Sequence, residues 1–399
     1  MKLQHIVLFI STIGLFTACD ISDNDIEPSE SFFRIYDNNE FNASFIPLDV
    51  IQTADEGFLI LSGTRQETSD FVGVRIIKAD QSGNFIQQST LGPDLVHPVA
   101  NWIERDSVFY FFCMEATSLQ TQLYSLDQDG NLNDPVNVGL TLPQYATRDE
   151  DEFLVLSYDN ANRTTVLSLI NPDDGSITSS QSFTIGDGDG AEEPVVDHYT
   201  RTGKQLPFTA GRLDNGTYYF NGFFNFTLSL VFTDLQNGVA GVVQGQQEDG
   251  GFSALMPLAG SNFAAARFNF GDNFFVPNAS LDAAGTTSSV DVAGNPMLEL
   301  VPDARVYIER MTIDDRATLV YASTTKNGQI ILTLYDESDG SWLGTDYLGF
   351  SNPFEVRSIH QTMDGGLVLL AETSVVGRFP RASLFKLSPN DLEDIISVD

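Results

Sequence analysis

The sequence reads QTADEGFLILSGT at residues 52–64 and QTMDGGLVLLAET near its other end, at residues 361–373. The two segments carry Gln, Thr, Asp, Gly, Leu and a final Thr at the same offsets. In each of them, a turn rich in Asp and Gly leads into an apolar run, which is the pattern of a hairpin turn followed by a β-strand. We call residues 52–64 and 361–373 the two copies of the repeated phrase. A segment that recurs near both ends of a chain predicts that the chain is built from repeated units.

The residues around the first copy predict one complete unit. Its strands and the turns between them occupy residues 45–53, 54–57, 58–61, 72–79, 80–84 and 85–90. Short strands joined by turns of this composition form an antiparallel meander. The second turn of the unit recurs after apolar strands at residues 127–131, 171–176 and 336–341 and, in degraded form, at 388–391.

A period of about fifty residues, with four strands in each period and no predicted helix, is typical of a β-propeller. We therefore predict an all-β chain in which residues 32–399 form a single β-propeller domain of about seven four-stranded blades. The alternatives are six or eight blades, or two packed β-sandwiches. The predicted blade boundaries lie near residues 93, 140, 187, 237, 291 and 351, and the register of the middle blades is the least clear.

Closing the ring removes an exposed sheet edge. We expect residues 32–36 (FFRIY) to supply the outer strand of the last blade, unless residues 392–398 (LEDIISV) occupy that position. The Asp/Gly turns of every blade would point to one face of the ring. The more variable loops and the connections between blades would form the other face, where we expect the binding surface.

The first residues predict export and a lipid anchor. Met1-Lys2 precede the apolar run 6–16, which is too short to span a bilayer and has the layout of a secretory signal. Residues 15–19 (LFTAC) resemble the lipobox of bacterial lipoproteins, although Phe16 stands where that family prefers Leu. The resemblance implies a signal peptide at 1–18 and lipid attachment to Cys19. The alternative is an ordinary signal peptide cut before another residue.

Residues 19–31 are acidic and lack an apolar pattern, so they are predicted to be a flexible tether. The stretch Ser22–Asp25 resembles the signal that sends Bacteroidota lipoproteins to the cell surface. This resemblance implies an outer-membrane protein, anchored by its lipid and facing the exterior. Asp20, directly after the cysteine, instead resembles the inner-membrane retention signal of enteric bacteria.

Charge excludes one class of partner. The chain has 20 basic and 55 acidic residues and a net charge of −35, so its surface repels nucleic acid and anionic membranes. The acidic residues are scattered singly, as on a solvated surface. Cys113, the second cysteine, lies in the apolar stretch 109–114 and is predicted to be a small buried hydrophobe.

No linear motif predicts chemistry, so we assign no catalytic residue, no cofactor and no metal ligand. His97, His198 and His360 lack metal-ligand spacing and are expected to be unrelated. No nucleophile elbow and no phosphate-binding loop is present in the sequence. Residues 185–193 (IGDGDGAEE) are predicted to be an acidic surface loop, with calcium binding by Asp187, Asp189, Glu192 and Glu193 as the alternative.

Aromatic residues are dense at 218–226 and 268–275. They are expected to fill the wedges between blades, with exposed contacts to a sugar or a protein partner as the alternative.

The main functional hypothesis is a non-catalytic interaction module at the cell surface. It would be an accessory subunit of an outer-membrane complex for uptake, secretion or assembly, with an outer-membrane protein as its partner. The alternatives are a glycan- or metal-binding surface protein, or a propeller-type glycoside hydrolase or lyase. A carboxylate pair assembled in the central pore from different blades is invisible to a linear reading.

Overall fold

A computed structural model describes residues 30–37, 44–66, 69–188, 190–200, 205–350, 352–374 and 379–397. Cys19, the predicted signal peptide and nearly all of the predicted tether lie outside these ranges. Among the helices in the described ranges, none has the length and apolar character needed to cross a membrane.

The chain is nearly all β-strand. The strands are β1 (Phe32–Tyr36), β2 (Phe45–Gln52), β3 (Phe58–Arg65), β4 (Val72–Ala79), β5 (Phe85–Thr90), β6 (Leu95–Val96), β7 (Ile103–Arg105), β8 (Val108–Glu115), β9 (Gln120–Leu126), β10 (Val136–Thr141), β11 (Pro143–Asp149), β12 (Glu152–Asp159), β13 (Thr164–Ile170), β14 (Ile177–Thr184), β15 (Thr209–Arg212), β16 (Tyr218–Phe224), β17 (Thr227–Thr233), β18 (Val239–Gln244), β19 (Gly250–Pro257), β20 (Asn262–Asn269), β21 (Asp272–Ser280), β22 (Thr286–Ser288), β23 (Asn295–Pro296), β24 (Val306–Ile313), β25 (Arg316–Thr324), β26 (Ile330–Asp336), β27 (Trp342–Leu348), β28 (Phe354–Gln361), β29 (Leu367–Thr373) and β30 (Arg381–Leu387). Two α-helices, α1 (Glu193–Thr200) and α2 (Pro389–Ser397), and a 3-10 helix at Ser289–Asp291 complete the described elements.

Pairing groups the described strands into antiparallel units of four. Five sheets contain one unit each, and a nine-stranded sheet contains two units that β6 joins by pairing with both β4 and β8. In one unit β23 takes the outer position, because β22 leaves to pair in parallel with β18 of the preceding unit. The inner strands of successive units contact one another, as β2 with β28 and β28 with β24. This arrangement is a β-propeller, which confirms the predicted fold class.

The ring is closed by strands from both ends of the chain. β1 pairs antiparallel with β30, from Phe32 opposite Lys386 to Tyr36 opposite Ala382, as predicted. The alternative that residues 392–398 fill this position is wrong, because residues 389–397 form α2. The predicted turn at 388–391 begins this helix instead. Its capping box joins the Asp391 N–H to Ser388 Oγ at 3.2 Å and the Ser388 N–H to Asp391 Oδ2 at 2.8 Å.

The Thr and Asp of the repeated phrase surround the ammonium group of a buried lysine. In the first copy, the Lys78 ammonium donates to Asp55 Oδ1 at 2.8 Å and to Thr53 Oγ1 at 2.5 Å. In the second copy, Lys386 reaches Asp364 in the same way, and the Thr362 hydroxyl donates to that carboxylate. Each lysine comes from the third strand of its unit and is almost completely buried. The phrase is therefore a turn clamped by an ion pair, present in the two units that meet at the ring closure.

The second Asp/Gly turn also has a physical basis. Asp80 Oδ1 accepts the N–H groups of Ser82 and Asn84 at 2.9 and 2.7 Å, and Gly83 supplies a φ of +73°. The turn at 127–131 repeats these bonds, with Gly130 at φ +81°. A left-handed backbone position favours glycine, so both turns depend on the residue types seen in the sequence.

The core fills the wedges between units, and most of the dense aromatic residues lie in it. Phe220, Phe232, Phe263 and Phe275 are completely buried, whereas Phe226 and Phe270 are exposed at hairpin turns. Cys113 is a buried free thiol, as predicted.

Three expectations about the middle of the chain are wrong. The boundary near residue 237 falls in the turn between β17 and β18, because Asp234 makes the Asx-type bonds of a turn inside a unit. The boundary near residue 291 falls ahead of β23, which is the outer strand of its unit. The prediction that the chain contains no helix is wrong at α1, whose residues Val195, His198 and Tyr199 are buried.

Candidate functional site

A cavity of about 510 Å³ lies at the centre of the ring. It is lined by the inner strands β2, β11, β15, β19, β24 and β28, and by residues 97–101 ahead of β7. Three connections between units contribute to it, through residues 97–101, through 205–208 and through Arg305. These connections belong to the face on which the sequence predicted the binding surface, which we call the connection face.

An ion pair between the first and last units lies in the cavity wall. His360 Nε2, on β28, is 2.8 Å from Asp49 Oδ1, on β2. The Asp49 carboxylate also accepts the Trp102 N–H at 2.6 Å and the Val50 N–H at 2.9 Å. The Asp49 side chain is 4 % exposed and the His360 side chain 38 %, so the imidazole rather than the carboxylate faces the cavity. Asp49 therefore holds His360 in position.

The electrostatics of this pair favour a charged imidazole. Burial alone lowers the pKa of His360, but the charge and hydrogen bond of Asp49 and the nearby charge of Glu309 outweigh it and raise the pKa above its usual value. Glu309, on β24, is half-buried and its Oε1 accepts the Gln361 N–H at 3.1 Å. Burial raises the pKa of Glu309, and the negative charge of Asp49 adds to this effect. The cavity therefore holds a carboxyl group that retains its proton more readily than a surface glutamate does.

The other two histidines also line this cavity, so the expectation that the three are unrelated is wrong. The rings of His97 and His198 are 5.5 Å apart, and both pack against Tyr199. Burial lowers the pKa of His97 to about 4, and it lowers the pKa of His198 as well. His198 Nδ1 accepts the Leu206 N–H at 2.9 Å, which leaves the Nε2 atom to carry the proton of the neutral ring. This pair is a neutral part of the cavity wall.

The segment that inserts into the cavity is strained. His97 has φ +52° and Asn101 has φ +135°, positions that residues with side chains seldom adopt. The segment is held by the His97 N–H on Val72 O at 2.7 Å and by the Asn101 side chain, which donates to Ala146 O at 2.9 Å and to the Tyr145 hydroxyl at 3.2 Å. Strain of this kind clusters at ligand sites, where the surrounding structure imposes it.

Arginine is concentrated around the cavity. Four arginines line it, Arg148, Arg212, Arg305 and Arg357, against two carboxylates, Asp49 and Glu309. Arg212 and Arg357 are paired with acids outside the lining: Arg212 with Glu150 at 2.7 Å, and Arg357 with Glu372 at 2.6 Å. The lining thus has more basic than acidic residues, whereas in the whole chain 55 acidic residues outnumber 20 basic ones.

The acidic stretch 185–193 lies outside the cavity lining. Glu192 pairs with Arg163 at 3.2 Å, and Asp189 lies outside the described residues. In the parts of the chain that the structure describes, no three His, Cys, Asp or Glu side chains are grouped closely enough to hold a metal ion.

Sequence reasoning missed the central site, because its members come from several different units. Asp49 and His360 are 311 residues apart and neither lies in a recognisable motif. The one available signal was the position of both residues just ahead of the Gln-Thr that opens the repeated phrase.

Comparisons with known proteins support the fold. No family model matches the sequence, and no curated protein matches it. Among solved structures, the chain is similar to a GH93 α-L-arabinofuranosidase of Fusarium graminearum in complex with arabinobiose. That pair has 11 % identity and a TM-score of 0.50, and the match covers 92 % of this chain and 99 % of the other.

The β-propeller domain of the Trilobed protease from Pyrococcus furiosus is also similar, with 10 % identity, coverage of 90 % of this chain and 100 % of the other, and a TM-score of 0.44. An acylaminoacyl peptidase of Pyrococcus horikoshii matches over 86 % of this chain and 51 % of its own, with 10 % identity and a TM-score of 0.44. At these identities the likeness concerns the β-propeller fold alone.

Proposed function

We propose that this protein binds a carbohydrate in its central cavity. The supporting observation is the cavity itself, whose volume of about 510 Å³ lies within the range typical of small-molecule sites. Its wall combines aromatic rings, among them Tyr145, Tyr219 and Tyr307, with arginine, carboxyl and amide groups. Sugar rings have apolar faces and hydroxyl edges, so they bind to surfaces that offer both kinds of contact.

The similarly folded arabinofuranosidase holds arabinobiose in its complex. This likeness bears on the fold only, and the proposal rests on the cavity.

A catalytic role of the same site is the second candidate, and Glu309 is the observation that favours it. A carboxyl group with a raised pKa is better suited than an ordinary glutamate to donate a proton to a leaving oxygen. His360, which Asp49 fixes and holds in favour of its charged form, is a second proton-carrying group in the same wall. Asp49 is unsuited to attack a substrate, because its oxygens already accept three hydrogen bonds and its side chain is 4 % exposed.

The cellular setting is proposed from the sequence. We propose a lipid on Cys19, a tether over residues 19–31, and an outer-membrane location with the ring facing the exterior. A ring held at the cell surface in this way would meet glycans before they enter the cell.

An accessory role in an outer-membrane complex remains the alternative to glycan binding. It is favoured by large apolar side chains on the connection face, where Phe270 is 70 % exposed, Leu298 76 % and Phe350 86 %. Gentle detergent extraction of the tagged full chain tests this role. A stoichiometric co-eluting membrane protein would support it, and a clean monomer would refute it.

The carbohydrate proposal is tested by binding of the detergent-solubilised full chain to an array of neutral and acidic oligosaccharides, followed by calorimetry. We expect Tyr307→Ala to weaken binding, whereas Asp94→Ala, at an exposed carboxylate outside the cavity lining, leaves it unchanged. Absence of binding to every glycan, or equal loss in both variants, would refute the proposal. Glu309→Gln should keep binding but abolish any cleavage of the bound glycan.

A further inference from the structure

The charges of the central cavity are not all balanced within the protein. The Asp49 carboxylate pairs with His360, and Arg212 and Arg357 pair with acids behind the lining. Two arginines remain. Arg305 Nη2 donates to Gln205 Oε1 at 2.9 Å, and Arg148 donates to the carbonyl oxygens of Glu150 and Glu104 at 2.7 and 3.1 Å. No carboxylate within the described ranges forms an ion pair with either of them.

The remaining acid of the lining does not cancel these two charges. Glu309 is a single carboxyl group against two arginines, so even as an anion it offsets only one of the two charges. The cavity therefore carries an excess of positive charge inside a chain whose net charge is −35. A strongly acidic surface repels anions at long range, so an anion enters this ring only if the interior attracts it specifically. An excess of positive charge at the centre has that effect.

The buried N–H groups of Arg357 are a second observation that points to a ligand. Its side chain is 95 % buried and lines the cavity, and its Nη2 is bonded to Glu372 at 2.6 Å. Within the described part of the chain, its Nε and Nη1 atoms have no hydrogen-bond partner, and the hydroxyl of the neighbouring Ser358 has none either. Buried donors without partners are costly, and they are found where a ligand or an ordered water completes the bonding.

From these charges we infer that the carbohydrate bound in the central cavity is anionic, with Arg305 and Arg148 as the residues that select it. The inference rests on the proposed carbohydrate-binding function and names its substrate class. The anion is a uronate carboxylate or a sulfate ester on the sugar ring, and each can present two oxygens to the paired N–H groups of a guanidinium. Among the described residues, Arg305 bonds to Gln205 through Nη2, and no bond of its Nε or Nη1 is seen there, so these two groups are open to such a contact.

The test compares matched pairs of oligosaccharides on the detergent-solubilised full chain. Uronate oligosaccharides are measured beside their carboxyl-reduced forms, and sulfated ones beside their desulfated forms, by calorimetry at two salt concentrations. We expect the acidic member of a pair to bind at least about tenfold more tightly, with weaker binding at high salt. Arg305→Gln and Arg148→Gln should each remove most of this preference. Arg316→Gln, at an exposed arginine outside the lining, should leave it within about twofold.

The outcomes separate this inference from the proposed function. Equal binding of the acidic and neutral members would overturn the inference and leave carbohydrate binding intact. Binding of no glycan at all would overturn both. Preference for the sulfated over the uronate series, or the reverse, supports the inference and identifies the anion. A preference that persists in both cavity variants would refute the assignment of Arg305 and Arg148.

Discussion

Removing Asp55 should destabilise the protein more than removing the lysine that it clamps. Lys78 is 4 % exposed, whereas the Asp55 side chain is 52 % exposed. Breaking a buried pair from one side costs about 3–5 kcal/mol, because it leaves a buried charge. Since Asp55 is half in solvent and Thr53 still accepts a bond from Lys78, we reduce this to about 2 kcal/mol for Asp55→Ala.

Lys78→Met removes the buried charge together with its need for a partner, so we expect a loss of at most about 1 kcal/mol. The double variant should match Lys78→Met alone. With an unfolding entropy of about 2.1 cal/mol/K per residue over roughly 370 residues, 2 kcal/mol corresponds to about 2–3 °C in Tm. Differential scanning calorimetry resolves this difference, with Asp94→Ala as the control for loss of an exposed carboxylate.

The pH dependence checks the sign of the same interaction. Burial raises the pKa of the Asp55 carboxyl. The hydrogen bonds from Lys78 and Thr53, together with the charge of Lys78, outweigh burial and lower this pKa overall. A depressed pKa in the folded state contributes stability above the unfolded value, and that stability is lost as pH falls through the folded value. The gap between wild type and Asp55→Ala should therefore close below about pH 4. A Lys78→Met variant as unstable as Asp55→Ala, or a gap independent of pH, would refute the ion-pair explanation.

Three further predictions concern other parts of the ring. Because burial lowers the pKa of His97 to about 4, the folded state takes up fewer protons than the unfolded chain between pH 6.5 and 4. The Tm should therefore fall on acidification through this range. It should fall less in the His97→Asn variant, in which asparagine tolerates the φ of +52° at this position. Ser388→Ala should remove the cap of α2 and cost about 1 kcal/mol, seen as faster amide exchange in that helix; unchanged exchange would contradict the cap. Phe270→Gly should raise stability by about 1 kcal/mol, because Phe270 is 70 % exposed at φ +47°, and a lower Tm would show that the aromatic ring has a structural role.

The strand pattern was predictable because its causes are local. A turn such as Asp80–Asn84 is determined by side-chain bonds and a left-handed glycine within five residues, and these are visible in the sequence. The connection that carries α1 was not predictable in the same way. Its helix is only eight residues long and is held by burying Val195, His198 and Tyr199 against other units. Tertiary contacts of this kind override weak local preferences.

The candidate site was hidden for the opposite reason, since each unit supplies one or two of its residues. Arg305, Glu309 and Asp49 line the cavity together, and they bond to Gln205, Gln361 and His360, which are distant in sequence. The sequence predicted a binding surface on the connection face from the variability of its loops, and this stays a prediction. It could not identify which side chains reach the centre.

The repeated phrase and the site are nevertheless connected by the ring closure. The first copy begins three residues after Asp49, and the second begins directly after His360. The Met363 N–H donates to Gln52 Oε1 at 2.7 Å, which ties the two copies to each other across the junction of the first and last units. That bond and the pairing of β1 with β30 fix how β2 and β28 lie side by side, and so they fix the 2.8 Å contact of Asp49 with His360. Gln52→Ala should therefore alter the titration of His360, followed by NMR of its ring protons, while the His97 and His198 rings titrate as before. An unchanged His360 would show that the pair is held by β2 and β28 alone and that the phrase serves only to close the ring.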